Sequence, residues 1–190
     1  MVKLLRLILV VVVIGVIGRA MFFHLANDRG LPATDGILNF GRIDDHLYRG
    51  AQPDAAGIAR LKQIGVTTII NLRTSKELWS AEAEAALSNS IIYTNIPLEG
   101  MGRPTLDDMA RILSVISNAP GPVFVHCAHG CDRTGTVVAC YRIQHDGWDV
   151  EAAMKEADRY GLSILERGMR EYVSDFAQQQ PKQAAASAKN

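Results

Sequence analysis

Polar and apolar positions along this 190-residue chain switch repeatedly between two periods. Val66-Thr-Thr-Ile-Ile-Asn-Leu72, Ile91-Ile-Tyr-Thr-Asn-Ile96 and Pro122-Val-Phe-Val-His126 are short β-branched runs that read as buried strands. His46-Leu-Tyr-Arg49 reads as a shorter, earlier strand. Between them the apolar spacing turns helical. Pro53 to Ile64 places Ile58, Leu61 and Ile64 together, and Thr74-Ser-Lys-Glu77 is a capping box for a helix to about Ser88. Thr105-Leu-Asp-Asp108 opens another, with Leu106, Met109, Leu113 and Ile116 on one face. Three more helices follow: Thr134 to His145, Val150 to Tyr160, and one capped at Ser163 that aligns Leu165, Met169, Tyr172 and Phe176. Such alternation predicts an α/β fold with a small, mainly parallel central sheet flanked by helices on both sides.

Both termini depart from this pattern. Leu7 to Gly18 is unbroken apolar sequence between Arg6 and Arg19, about 18 Å as a helix against a hydrocarbon core of about 30 Å. If the flanking arginines snorkel, residues 4–25 are long enough to cross. Residues 1–26 are therefore expected to form a hydrophobic helix serving as membrane anchor or signal segment. Gly18-Arg19-Ala20 is a poor cleavage site, which favours an uncleaved single-pass anchor over secretion after cleavage. Lys3 and Arg6 against Arg19 and Arg29 orient the domain to the non-cytoplasmic, periplasmic side. The globular domain is expected over residues 27–176, and residues 177–190 as a disordered tail.

Composition narrows the classes. With 48% apolar and 21% charged residues the chain can bury a core, so a disordered polymer is excluded. Of 20 basic and 20 acidic residues, four and one lie in residues 1–30, leaving 16 and 19, a net −3, on the domain. That charge argues against a nucleic-acid partner. Cys127, Cys131 and Cys140 are odd in number and clustered, which points to chemistry at one locus rather than to disulfides.

That locus is Val125-His-Cys-Ala-His-Gly-Cys-Asp-Arg-Thr-Gly135, between a predicted strand and a predicted helix. A loop entering a helix N-terminus aims several backbone N–H groups at one point and makes an anion cradle. Gly130 permits the tight turn, and Arg133 can clamp two phosphate oxygens with its planar fork. The same dipoles and charge favour thiolate over thiol at Cys127. A phosphate cradle with a thiolate at its floor is the equipment of a nucleophilic phosphatase.

His126-Cys127-x5-Arg133-Thr134-Gly135 resembles the signature of the cysteine-based protein tyrosine and dual-specificity phosphatases. Leu47-Tyr-Arg-Gly-Ala-Gln-Pro53 and Ile69-Ile-Asn-Leu-Arg73 look like the compact bacterial members of that group. The resemblance implies that Cys127 attacks phosphorus to form a phosphocysteine. Ala128, His129, Gly130, Cys131, Asp132 and Arg133 would hold the phosphate. His126 would tune the cysteine, and Thr134 would hydrogen-bond the departing thiolate. It implies neither metal nor cofactor, and a phosphotyrosine or phosphoserine/threonine protein as substrate. A phosphoinositide phosphatase and a catalytically silent phosphate-binding module are the alternatives; the absence of lysine from the loop weighs against the first.

The general acid stays open between two residues. Asp132 sits in the loop, where a carboxylate beside a thiolate is repulsive unless it carries a proton. Glu99 lies in Pro97-Leu-Glu-Gly-Met-Gly-Arg-Pro104, the stretch from which family members commonly supply an acid. Among the rest, Cys140 is expected in the core and Cys131 as a filler or as a redox partner of Cys127. Arg103 is expected either at the phosphate pocket or solvated, and Arg49 and Arg73 in structural pairs with carboxylates such as Glu77.

Overall fold

The computed structural model describes residues 30–180. Five strands are present, β1 (Gly41–Arg42), β2 (Leu47–Gly50), β3 (Thr68–Asn71), β4 (Ile92–Asn95) and β5 (Val123–His126), in the order β1-β2-β5-β3-β4. β2, β5, β3 and β4 run parallel, and β1 adds one antiparallel pairing, so the sheet is mixed. Six helices accompany them: α1 (Ala55–Gln63), α2 (Glu82–Ser88), α3 (Leu106–Asn118), α4 (Asp132–His145), α5 (Val150–Arg159) and α6 (Arg167–Gln179).

Strand alternation sends side chains to two cores. Ile69 and Phe124 pack with Ile58 and Leu61 of α1 and Ala86 of α2. Ile70 and Val125 pack on the other face with α3, α4 and α6, through Met109, Val138 and Val173 among others. α4 shows no apolar stripe because it is buried nearly all round, between the sheet, α5 and α6. Gly50, His126 and Asn71 are register partners at the C-terminal ends of three adjacent parallel strands. The phosphate-loop candidate leaves the sheet from the middle one.

Several boundaries differ from expectation for local reasons. Only half of the Thr74–Glu77 box forms: Thr74 N–H and Oγ1 both donate to Glu77 Oε2 (3.0 and 2.8 Å), while Glu77 N–H goes to Thr74 O (2.9 Å), which closes a turn, and the helix begins only at Glu82. Ser163 Oγ accepts from Leu165 N–H, again a turn, and α6 starts four residues later, leaving Leu165 exposed. At its far end α6 continues to Gln179, so residues 177–179 are helical rather than part of a tail.

The hydrophobic helix expected in residues 1–26 lies outside the described residues, as do residues 181–190. Among the described residues no helix is long and apolar enough to cross a membrane. The longest, α4, has 14 residues and is enclosed by protein. The expected single-pass membrane localisation and membrane partner are therefore not supported by any described helix, and residues 4–25, on which both rest, lie outside the described residues.

Candidate active site

Cys127 directly follows His126, the last residue of β5, and is 3% exposed. From there the chain loops through residues 128–131 and enters α4, whose first hydrogen bond runs from Gly135 N–H to Cys131 O (2.8 Å). The N–H groups of Asp132, Arg133 and Thr134 therefore precede the helical ladder, as at any helix start.

The loop carbonyls are tied from outside. Gln52 N–H donates to Ala128 O (3.3 Å), Asn39 Nδ2 to His129 O (3.1 Å), and Arg49 Nη2 to Gly130 O. No peptide here is cis, so each C=O and the following N–H point in opposite directions. Holding three consecutive carbonyls outward turns the N–H groups of His129, Gly130 and Cys131 inward. Asn39, fully buried, also accepts from Leu31 N–H and donates to Tyr160 O. Gly130 has φ +69°, and a Cβ there would sit 2.5 Å from the Gly50 carbonyl group, so only glycine fits.

Arg133 is 6% exposed and its donors can be counted. Nη1 donates to Glu77 Oε2 (2.7 Å) and meets Leu98 O (3.3 Å) and Leu72 O (3.5 Å); Nη2 donates to Glu77 Oε1 (3.1 Å). One Nη2 proton and the Nε proton lie on the guanidinium edge that Glu77 does not use, an edge that fits two oxygens of a phosphate, and Cys127 is a further hydrogen-bond partner of this side chain. The Arg133 hydrogen bonds hold the Glu77 carboxyl down to about 2. Burial lowers Arg133, but Glu77 and the neighbouring Cys127 more than offset it.

His126 is fully buried. Its Nδ1 lies 3.2 Å from Cys127 O, and its Nε2 lies 2.7 Å from Glu82 Oε1, an ion-pair contact in which neither atom completes a well-aligned hydrogen bond. Both ring nitrogens thus face acceptors. Glu82 is equally buried and accepts from Asn71 Nδ2 (2.6 Å) and Tyr93 OH (3.3 Å). Burial raises the Glu82 carboxyl, but His126 above all, with Gln52 and Asn71, brings it below its ordinary value. Thr134 is fully buried, and its Oγ1 has no hydrogen-bond partner among the described residues.

The structure thus gathers Cys127, Arg133, His126 and Thr134 around one loop. Ala128 is half-buried, His129 exposed, Gly130 and Cys131 buried. Asp132 is half-buried, and its Oδ1 accepts from Ser163 N–H (2.8 Å) in the α5–α6 connection. Glu99 is exposed and follows Leu98, whose carbonyl meets Arg133. Arg103 is drawn away, pairing with Asp175 at 2.6 Å. Cys140 lies in the core, where burial pushes its thiol far up. Glu77 pairs with Arg133 rather than with Arg49 or Arg73; Arg73 binds Gln52 Oε1 (3.1 Å) instead. Asn39, Arg49, Asn71, Glu82 and Tyr160 were not assigned to the site from the sequence. The available signal was polar side chains within buried strands, as at Arg49 and Asn71.

Comparison with known proteins agrees with this geometry. The dual specificity protein phosphatase TpbA of Pseudomonas aeruginosa (strain UCBPP-PA14) is 34% identical over 140 residues, 68% of this chain and 58% of TpbA. The chain thus spans less than two thirds of that relative. Phosphatidylglycerophosphate phosphatase PTPMT2 of Arabidopsis thaliana is 29% identical over 181 residues, 88% of this chain and 76% of PTPMT2. Crystal structures of P. aeruginosa TpbA superpose with TM-score 0.65 (26% identity, 80% of this chain and 96% of TpbA) and, in complex with pTyr, 0.62 (27% identity, 80% and 95%). A family model described as DSP-PTPase phosphatase fused to NAD+ kinase matches residues 36–175. That span holds all five strands, the loop and every side chain that braces it, and the chain belongs to this family of DSP-PTPase phosphatases.

Proposed function

We propose that the chain hydrolyses phosphomonoesters of the phosphotyrosine or mixed phosphoprotein class through a phosphocysteine. The observation that carries this is Arg133, braced by Glu77 and hydrogen-bonded to Cys127, beside loop N–H groups that the outward-held carbonyls turn inward. The Cys127 thiolate attacks phosphorus as the bond to the leaving oxygen breaks. Arg133 and the loop N–H groups take up the charge on the equatorial oxygens. Water then attacks phosphorus, the P–S bond breaks, and the Thr134 hydroxyl donates to the departing thiolate. An unpartnered buried hydroxyl suits that role. His126, bearing on Cys127 through its backbone carbonyl, stabilises the thiolate. TpbA, bound to pTyr in one crystal structure, supports the substrate class.

Asp132 is the proposed general acid and Glu99 the competitor. Asp132 Oδ1 accepts from Ser163 N–H, whereas Glu99 is exposed and follows Leu98, whose carbonyl meets Arg133. Cys127→Ser is expected to abolish aryl phosphate turnover, assayed with chelator and reductant. Asp132→Asn should slow an alkyl phosphate at least ~10-fold more than an aryl phosphate with a good leaving group. Equal loss on both moves the assignment to Glu99. Faster turnover of phosphoinositides than of phosphotyrosine peptides would replace the substrate class and keep the chemistry.

A further inference from the structure

Arg49 heads the fully buried side chains by volume among the described residues. It lies in β2 beside Val125 of β5, and its guanidinium stacks 3.9 Å over the Tyr160 ring. Nη2 donates to Gly130 O, while Nε and Nη1 have no hydrogen-bond partner among the described residues. Glu156, a carboxylate whose charge bears on it, is committed to Arg142 at 2.8 Å. A buried cation held by a ring face and one carbonyl does not stabilise a fold. Its compensation has to come from elsewhere.

The place to look is across the loop. Arg49 backs Gly130, and the peptide it grips is the one that turns the Cys131 N–H inward. Burial pulls its guanidinium down to about 10, while Tyr160, Glu156, Cys127 and Cys131 act in the opposite direction. Linkage is reciprocal: an anion at Cys127 that favours the Arg49 cation is itself favoured by it.

We infer that Arg49 is a positioning residue of the phosphate site: from behind the loop it fixes the Gly130–Cys131 peptide and supplies a buried positive charge that stabilises the Cys127 thiolate and the bound phosphoryl group. This rests on the phosphatase reading above. The other groups around Cys127 are Arg133 of α4, braced by Glu77, His126 of β5, braced by Glu82, and Cys131 and Asp132 of the loop and helix start. Tyr160, which caps the end of α5, stacks under Arg49, and the charge of Glu156 of α5 bears on it. All remain in the variants that test it.

The test is the pH profile of Cys127 alkylation by iodoacetamide, read by mass spectrometry on the full chain, with and without orthovanadate. Arg49→Gln keeps a donor for Gly130 O and removes the charge; Arg49→Lys keeps a charge; Arg49→Met removes both. In the Gln and Met variants the half-maximal pH is expected to rise by about one unit, and vanadate protection to weaken ~10-fold. The Lys variant should shift less than half as far. The melting temperature of Arg49→Met should hold or rise, since an uncompensated charge gives way to an apolar chain of similar length. Wild-type alkylation and vanadate protection in the Gln and Met variants would overturn the inference, whatever their turnover. So would loss of the fold in both, which would make Arg49 a stability residue. A wild-type chain that alkylates and binds vanadate but turns over no aryl phosphate would sink the phosphatase reading, and the alkylation series would still decide Arg49.

Discussion

Two acid–base contacts flank the loop at the same 2.7 Å separation, and they are built for different work. Glu82 and His126 are both 0% exposed, whereas the Glu77 side chain is 35% exposed against 7% for Arg133. Glu82 opens α2 and is pinned by Asn71 and Tyr93. Glu77 comes from a turn and is held by Thr74. Distance says nothing about what breaking each would do; burial does. Removing a partner from the dry pair strands several polar groups where water cannot reach them, while the wet pair can be rehydrated.

The sharpest test of that contrast is Glu82→Ala. It leaves His126, Asn71 Nδ2 and Tyr93 OH short of an acceptor in the interior, and the expected loss is about 3–5 kcal/mol in urea denaturation. Glu82→Gln keeps an acceptor and should cost about 1–3 kcal/mol. Should Glu82→Ala lose no more stability than Glu77→Ala, burial would not be what separates the two contacts.

Glu77→Gln makes the opposite demand. Its stability loss should stay within about 1 kcal/mol, but Arg133 loses a charged brace on two of its nitrogens. Turnover of an aryl phosphate is expected to fall about tenfold in kcat/KM through misorientation of the fork. Loss in kcat with KM near wild type would show that the brace matters most as charge develops. Unchanged kinetics would reduce Glu77 to a turn residue.

The two contacts also mark where sequence reading succeeds. The loop was legible because its parts are contiguous: strand, glycine, arginine and helix start fall within eleven residues and each has a local reason. The parallel strands were legible from β-branched runs, which fixed their order in the chain but not the two-residue β1. The braces were not legible, because each joins the loop to a distant segment: Asn39 to His129, Arg49 to Gly130, Glu82 to His126. Glu77 shows how a correct local signal misleads. Its carboxylate does reach back to Thr74 N–H, but both carboxylate oxygens also bind Arg133, and the helix that the box announces waits until Glu82. Asp132 was read as an acid from its neighbours in sequence, and Ser163, 31 positions on, could not have been counted among them.

The smallest expected effect concerns pH. The Glu77 carboxyl is held at about 2 in the fold against an ordinary value of 4.5. A depressed carboxyl stabilises the fold above its unfolded value, and that contribution disappears as pH falls through the folded one. The wild-type chain should therefore exceed Glu77→Gln in stability by a constant margin from neutral pH down to about 4.5. Below that the margin should shrink, and it should be gone near pH 2. Because the group is a third exposed, the margin is at most ~1 kcal/mol, so it is best read as the difference between paired melting curves at each pH. A margin that closed already between pH 6 and 5 would mean that another group, and not the Arg133-bound carboxylate, carries the difference. The Glu82 variants provide the control: their deficit should persist at neutral pH at several times the size, since the group they alter is shut away from water.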